Sequence, residues 1–276
     1  MTQFRMENSV TYKKHAASEA WLTAENNAAE KDRSARVKRG FEQPEWYLRQ
    51  RSFNIRLRAE VVQEFLRGAE FGNILDIGCG DGSLSVPLLT ARNHLTLVDM
   101  SKAMLEIASS RVPVEYSAQV KIVNESFDQA SLAPASYDLI IGVGVLAYLQ
   151  DTRAFVERIA LLLKPGGRVI TECTDSSHLV NCLGRGFGRV RNLLRSSKVP
   201  LILHTSKEVE GAFKRLGFEP CGSFRYSLPP PGVRRVLNQA ALYKMVRTFH
   251  GNATHNRAPW MGDECLYYFK QSKAGT

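Results

Sequence analysis

The chain has 276 residues, of which 44% are hydrophobic and 23% charged, an ordinary balance for a globular protein with a full core. Its longest apolar run, the eleven residues 139–149, falls short of the roughly 18 that a membrane-spanning helix needs, and residues 1–10 lack the apolar core of a signal peptide. The five cysteines are scattered without a CxxC pair, so we expect free thiols in a reducing, cytoplasmic location and no zinc site.

The formal net charge of +10 is concentrated in three stretches. Residues 31–58 hold nine Lys/Arg against three acids, while 181–200 hold five and 220–262 hold six, with no acid in either. Such stretches indicate a solvated surface or attraction to an anionic partner. The sequence argues against a nucleic-acid partner, because it contains no recognisable RNA-binding module. A peripheral membrane contact stays open, since 176–200 combines an apolar stripe with arginines.

Apolar runs and helical periodicities alternate along the chain. Strands are predicted at 73–77, 94–99, 119–123, 137–142, 167–173, 218–225 and 264–270. Helices are predicted between them, at 83–91, 101–110, 152–163 and 205–216. This alternation favours an α/β fold with a mostly parallel sheet, and the long insertion before the last strand allows that strand to run antiparallel.

Three glycines follow directly after the first predicted strand, in NILDIGCGDG at 73–82. Parallel sheets bind ligands at the carboxyl ends of their strands, and glycine lets the backbone approach a ligand closely. The spacing GxGxG matches neither the dinucleotide motif GxGxxG nor a P-loop, which ends in GK[ST]. Asp76, just before the glycines, suits an ammonium group better than a pyrophosphate. Asp99 ends the next strand, where a carboxylate can accept both hydroxyls of a ribose.

These features resemble the motifs of class I S-adenosylmethionine-dependent methyltransferases. The similar stretches are LDIGCGDG at 75–82, the ribose-binding acid Asp99, SYDLIIGVGVLAYL at 136–149, LLLKPGGRVI at 161–170 and LGFEP at 216–220. The resemblance covers about residues 70–173. It implies a Rossmann-like, seven-stranded, mostly parallel sheet with an antiparallel last strand at 264–270. It also implies S-adenosyl-L-methionine as methyl donor, without a metal.

The resemblance further implies which residues contact the cofactor. Asp76 and the backbone at Gly78 and Gly80 would hold the methionine part. Asp99 would hold the ribose, and Met100 would pack on the adenine face.

The adenine amino group would be met after the third strand, in VNESFDQ. The alignment puts Ser126 at the family's acid position and Phe127 at its backbone-donor position, with Glu125 or Asp128 as alternatives one or two residues away. The carbonyl of Gly142, at the end of the fourth strand, would accept from the methionine ammonium.

Residues 1–56 are expected to form a helical N-terminal cap or lid over the cofactor, as related enzymes often have. Tyr47 and Arg51 lie four residues apart and would face the site together on a helix, which adds Tyr47 to the expected cofactor contacts. Cys79, within the glycine motif, is included as a small buried filler of the cofactor loop rather than a nucleophile. Residues 57–276 are expected to form the methyltransferase domain, with insertions after strands 5 and 6, at about 176–203 and 226–262.

Methyl transfer from a sulfonium is an in-line displacement, and a hydroxyl acceptor benefits from a base. His178 and His204 flank the insertion after the fifth strand and are the expected catalytic residues, although a lone histidine is more often structural. Glu172 and Tyr148 are further candidate bases. The motif D/N/S-PP-Y/F/W, which serves exocyclic amino groups of nucleobases in this superfamily, is absent after the fourth strand.

We therefore expect O-methylation of a hydroxyl on a small or amphiphilic metabolite. Two alternatives stay open: an RNA or protein methyltransferase that uses the basic stretches, and a non-catalytic S-adenosylmethionine-binding protein. The stretches 181–200 and 225–257 are expected to line one side of the acceptor pocket and to attract an anionic or amphiphilic small molecule, because their eleven Lys/Arg are accompanied by no acid. The sequence does not indicate an oligomeric state.

Overall fold

The structure is a computed structural model, and it describes residues 32, 35–39, 41–42, 44–149, 151–178 and 202–272. Its strands are β1 Asn73–Ile77, β2 His94–Val98, β3 Val120–Val123, β4 Tyr137–Gly142, β5 Leu163–Thr174, β6 Phe218–Tyr226, β7 Gly251–Asn252, β8 His255–Asn256 and β9 Glu264–Gln271. Its longer helices are α1 Pro44–Phe65, α2 Lys102–Ser110, α3 Thr152–Leu162, α4 Ser206–Arg215, α5 Pro231–Val236 and α6 Gln239–His250.

Seven of the strands form one sheet in the order β3-β2-β1-β4-β5-β9-β6. The neighbours from β3 to β5 run parallel, and β9 pairs antiparallel with both β5 and β6. The predicted Rossmann-like, seven-stranded, mostly parallel sheet with an antiparallel last strand is therefore confirmed. The strand order reverses between β1 and β4, and ligands of such sheets bind at the carboxyl ends of the strands that flank this point.

The central strands are buried on both faces. Leu75 and Ile140 pack into one core cluster, whereas Ile74 and Leu139 pack into another on the opposite face. Because helices cover both faces, these strands appear in the sequence as continuous apolar runs rather than as alternating patterns.

Side-chain caps mark where the longer helices begin. Ser101, Asp151, Thr205 and Asn238 precede α2, α3, α4 and α6, and each side chain accepts a hydrogen bond from a backbone N–H in the first turn. The first three caps explain why helical periodicity in the sequence placed these helices within two residues of their observed ends.

The helix predicted at 83–91 is wrong. Only a short 3-10 turn forms there, at Val86–Leu88. Pro87 has no N–H to donate and Gly82 adopts a positive φ of 72°, so the segment cannot propagate an α-helix.

Helix α1 belongs to the same core as the insertion after β6. Phe53 and Leu57 of α1 share a buried cluster with Leu242 and Val246 of α6. The boundary expected between residues 56 and 57 lies inside α1. The insertion at 226–262 forms α5, α6 and the β7–β8 hairpin, whereas most of the insertion at 176–203 lies outside the described residues. No helix of the described chain is long and apolar enough to cross a membrane.

Candidate active site

A cavity of about 290 Å³ opens at the carboxyl ends of β1, β2, β4 and β5. Its walls also include Val37, Lys38 and Phe41, one side of α1, Leu228 and the first residue of β9. It therefore occupies the switch point of the sheet, where the alternating pattern of strands and helices predicts a ligand. The predicted cofactor residues that line it are Tyr47, Gly78, Cys79, Gly80, Asp99, Met100, Ser126 and Phe127.

The glycine loop forms the floor of the cavity. Gly78 and Gly80 have positive φ angles of 63° and 53°, which side-chain-bearing residues rarely adopt. A Cβ at Gly78 would lie 2.8 Å from the Cγ2 of Val145, whereas a Cβ at Gly80 would meet nothing within 4 Å. The glycines thus serve two purposes: Gly78 permits close packing of β1 against the turn after β4, and Gly80 leaves room beside the cavity.

Asp99 is held rigidly at the end of β2. One carboxylate oxygen accepts from the Gly80 N–H at 2.9 Å, and the other accepts from the Ser101 N–H at 2.8 Å. Burial raises the pKa of Asp99, and these backbone donors oppose that shift. The carboxylate lines the cavity with its orientation fixed, as a hydroxyl-binding acid requires.

Asp76 lies beneath the cavity wall rather than in it. Its carboxylate is 2% exposed and accepts from the Ser85 hydroxyl at 2.5 Å. Burial raises the pKa of Asp76 to about 7, and the charges of Asp99 and Asp81 add to this. Asp81 is paired with Arg111 at 2.6 Å, but no described cation is paired with Asp76 or Asp99. The loop region therefore holds two acids, Asp76 and Asp99, that have no ion-pair partner among the described residues.

The segment after β3 supplies another wall. Ser126, Phe127, Glu125 and Asp128 all line the cavity. Phe127 is buried edge-on against Phe155, with their ring centroids 5.6 Å apart. The placement brings both predicted adenine contacts, and both alternatives, to the same wall.

Gly142 lies just outside the cavity lining. Its carbonyl oxygen, which was expected to accept from the methionine ammonium, accepts a hydrogen bond from the Thr171 hydroxyl at 3.0 Å. The wall at the end of β4 consists instead of Val143, Gly144 and Val145.

The N-terminal segment covers one side of the cavity. Phe41 contacts Tyr47 and Tyr148 edge-on, with centroid distances of 5.0 and 5.9 Å. The Ser101 hydroxyl donates to the Phe41 carbonyl at 3.0 Å, which ties the segment to the loop after β2. Arg51 lines the same wall one helical turn after Tyr47.

A buried ion pair occupies the side of the cavity away from β2. The Arg58 guanidinium contacts both oxygens of Glu172, at 2.8 and 2.5 Å, and Glu172 is 3% exposed. Burial acts to lower the pKa of Arg58, but the Glu172 carboxylate holds it well above its ordinary value. The Tyr226 hydroxyl lies 2.7 Å from the Asn54 side-chain oxygen and 3.1 Å from Glu172. Both carboxylate oxygens of Glu172 therefore already have hydrogen-bond or ion-pair partners.

Glu264, the first residue of β9, is a second carboxylate in this part of the cavity. It is buried, and one of its oxygens accepts from the Thr174 hydroxyl at 3.0 Å. Burial raises the pKa of Glu264 to about 7, helped by the charge of Glu172 and opposed by Arg58. No described residue forms an ion pair with it. Neither Glu264 nor Arg58 was predicted from the sequence as a site residue. An acid at the start of an apolar strand is nevertheless a pattern that could have pointed to Glu264.

The two predicted catalytic histidines lie outside the cavity lining. His204 is buried, with its ring nitrogens 3.0 Å from the Thr152 hydroxyl and 3.0 Å from the Leu146 carbonyl. His178 has its Nε2 3.0 Å from the Trp260 carbonyl. These contacts tie loops together and leave the histidines away from the cavity.

Most arginines of the stretch 225–257 also face away from the cavity. Arg225 pairs with Asp175 at 3.5 Å, and Arg247 pairs with Glu60 at 3.0 Å. Within this stretch only Leu228 lines the cavity, and 181–200 lies outside the described residues. Two of the six Lys/Arg of the stretch 225–257, Arg225 and Arg247, thus attach the insertion to acids elsewhere in the fold. Among the described residues, no group of three or more His, Cys, Asp or Glu is arranged to hold a metal.

Residues 75–169 match the family described as a methyltransferase domain. The ubiquinone biosynthesis O-methyltransferase of Bordetella avium is 27% identical over 183 residues, which are 60% of this chain and 70% of that protein. The protein of the same name from Alkalilimnicola ehrlichii is 27% identical over 187 residues, or 62% of this chain and 74% of that protein.

The fold has solved counterparts as well. The crystal structure of an S-adenosylmethionine-dependent methyltransferase from Thermotoga maritima superposes with a TM-score of 0.60 at 16% identity, covering 87% of this chain and 100% of that chain. The family match runs from β1 into β5, including the glycine loop and Asp99, and the strand order agrees with the fold that these motifs imply. The chain belongs to the class I S-adenosylmethionine-dependent methyltransferases.

Proposed function

We propose that the enzyme methylates a hydroxyl group of a small metabolite, with Glu264 as the general base. The observation that best supports this proposal is the position of Glu264 in the cavity lining. One of its carboxylate oxygens accepts a hydrogen bond from Thr174, and no cation among the described residues is paired with it. A base whose pKa lies near 7 is about half ionised at neutral pH and still basic enough to take a proton. The relatives named as O-methyltransferases support the same acceptor chemistry.

The residues around the glycine loop fit S-adenosylmethionine. Its ribose matches the fixed carboxylate of Asp99, and its positive charges match the unpaired acids Asp76 and Asp99. The room beside Gly80 permits close approach to the backbone. When bound, this molecule supplies a methyl group on a positively charged sulfur.

The protein's own residues then have distinct tasks. Asp99 and the glycine loop orient the donor, while Phe41 and Tyr47 shield it from water. Glu264 takes the proton of the acceptor hydroxyl, so that the oxygen becomes a better nucleophile as the methyl group is transferred. The Arg58–Glu172 pair keeps that side of the cavity rigid and leaves Glu264 as the carboxylate available to a substrate.

The test compares methyl transfer to hydroxyl acceptors with methyl transfer to matched amine acceptors. The purified protein is incubated with S-adenosylmethionine and a set of matched phenols, alcohols and primary amines, and S-adenosylhomocysteine and methylated products are measured by mass spectrometry. We expect methyl ethers to form in preference to methylamines. Efficient methylation of amines, with hydroxyl compounds left unchanged, would overturn the O-methylation proposal and leave the family assignment intact.

The affinity for S-adenosylmethionine should fall as the pH is lowered from about 8 to about 6, by up to about tenfold per unit. The positively charged ligand favours the ionised form of Asp76, whose pKa of about 7 in the free protein means that it is increasingly protonated over this range. Titration calorimetry in buffers of different ionisation enthalpy measures both the affinity and the protons released. The Asp76→Asn variant should lose the pH dependence, and an equally steep dependence in that variant would contradict the assignment.

Replacing Phe41 with alanine should weaken S-adenosylmethionine binding by about tenfold, as expected for the loss of aromatic contacts at a covering wall. Phe41 contacts both Tyr47 and Tyr148 and lines the cavity. Calorimetry measures the effect, and Phe249→Ala on the outer side of α6 is the control, since Phe249 is exposed and does not line the cavity. Equal effects of the two substitutions would argue against a covering role for Phe41.

A further inference from the structure

We propose that Arg51, in the cavity wall, and Arg234, on the helix α5 that packs beside this wall, form an anion-binding subsite at the rim of the cavity, which takes a carboxylate or phosphate group carried by the substrate. The inference rests on the proposed function, since it treats the cavity beyond the cofactor residues as the acceptor site. It deepens that function by adding a charge requirement to the acceptor.

The two arginines come from elements that pack together. Arg51 lines the cavity from α1, and Arg234 lies on α5, a few residues after the lining residue Leu228. Gln239, at the start of α6, accepts from both the Ser52 hydroxyl and the Phe53 N–H at 3.2 Å. These bonds hold the α5–α6 segment against α1, directly after Arg51. The charge of Arg51 accordingly contributes, after burial, to a lowered pKa of Arg234.

Neither guanidinium is paired with a carboxylate of the described residues. Among the partly buried arginines, Arg58, Arg225 and Arg247 each pair with at least one acid, whereas Arg158, like Arg234, has no acidic partner in the described chain. Arg234, by contrast, has a buried Nε for which the structure offers no hydrogen-bond partner. A buried N–H without an acceptor costs free energy, and two adjacent cations repel each other. Both costs are removed when an anion binds between them.

The chemistry of the two side chains specifies the ligand. Guanidinium groups donate parallel hydrogen bonds that match the two oxygens of a carboxylate or a phosphate. The neighbouring wall is apolar, with Ile55 and Leu228 in the lining. The substrate class inferred is therefore a hydroxylated molecule with an apolar body and an anionic group, with the anion held near α5 and the hydroxyl directed toward Glu264.

Anion binding can be tested without turnover. The full chain, saturated with S-adenosylhomocysteine, is titrated with benzoate and, separately, with inorganic phosphate, and the dissociation constants are measured by calorimetry. Binding of benzoate identifies a carboxylate subsite, and binding of phosphate alone identifies a phosphate subsite. Binding of neither anion would overturn the inference, while the proposed O-methylation would still be tested by the acceptor set.

Substitutions locate the subsite. Arg234→Gln and Arg51→Gln should each weaken anion binding by about tenfold or more, because each removes charge-assisted hydrogen bonds. Arg235→Gln is the matched control, since Arg235 is the exposed neighbour on the same short helix and lacks the buried, unpartnered Nε of Arg234. Melting temperatures identify any variant that fails to fold, and Arg51→Gln, on an exposed turn of α1, provides an independent variant. An equal loss in Arg235→Gln would mean that only diffuse positive charge is involved, and the subsite would be disproved.

Discussion

Replacing Asp99 with alanine is expected to weaken S-adenosylmethionine binding by at least about a hundredfold, because two charge-assisted hydrogen bonds to the ribose, of about 1.5–3 kcal/mol each, are lost. The structure adds a second reason. The same carboxylate accepts from the backbone N–H groups of Gly80 and Ser101, so its removal also releases the glycine loop that forms the cavity floor. Calorimetry with S-adenosylmethionine and S-adenosylhomocysteine measures the change, and both ligands should be affected because both carry the ribose.

Two further variants separate these contributions. Asp99→Asn keeps the shape and one acceptor oxygen, so its loss of affinity should be smaller than that of Asp99→Ala. Glu106→Ala removes an exposed carboxylate of α2 that is paired only with Lys102, and it should leave binding unchanged. A folded Asp99→Ala variant with normal affinity would show that the ribose is bound elsewhere.

The sequence predicted the sheet, and it predicted which residues after β1, β2 and β3 lie together at the cavity, because both depend on local patterns. The central strands β1 and β4 are short apolar runs, and the glycine loop follows directly after β1. Asp99 follows β2 directly, and Ser126 lies three residues after the end of β3. Strand ends in a parallel sheet lie along one edge, so residues directly after successive strands are brought together without any knowledge of tertiary contacts.

The acceptor half could not be predicted in this way, because it depends on pairing between distant parts of the chain. Antiparallel pairing of β5 with β9 places Thr174 opposite Glu264, and Arg58 reaches Glu172 from a helix that precedes the sheet. No local pattern marks these contacts. His204 follows an insertion next to β5 in sequence, but its ring is held by carbonyls of the loop after β4 and does not reach the cavity.

Charge counting along the sequence failed for a related reason. Two of the six arginines and lysines of 220–262 have acidic partners elsewhere in the fold: Arg247 pairs with Glu60 and Glu64 of α1, and Arg225 pairs with Asp175 after β5. The other four have no ion pair among the described residues, and of these Arg234 lies on the helix that packs beside the cavity wall. A net charge therefore indicates an anionic partner only after the internal ion pairs of the fold have been subtracted.

Replacing Glu264 with glutamine is expected to lower kcat for a hydroxyl acceptor by about 10²–10⁴-fold, the usual contribution of a general base. Glutamine keeps the shape of the side chain and an oxygen that can accept from Thr174, but it cannot take a proton. The affinity for S-adenosylmethionine should change little, because Asp99 and the glycine loop lie at the other side of the cavity. Single-turnover rates and calorimetry on the same preparation separate the two quantities.

The pH profile distinguishes a base from a merely structural carboxylate. The pKa of Glu264 is about 7 in the folded protein, so the active, ionised form accumulates as the pH rises, and kcat should increase through this region and then level off. The Thr174 hydroxyl lowers this pKa by donating to the carboxylate, so Thr174→Val should move the rise to higher pH without abolishing it. Glu264→Gln should remove the rise altogether. If that variant kept both its rate and the same pH dependence, the proton would have to leave by another route, and Tyr148, the remaining candidate base in the cavity lining, would be the residue to test next.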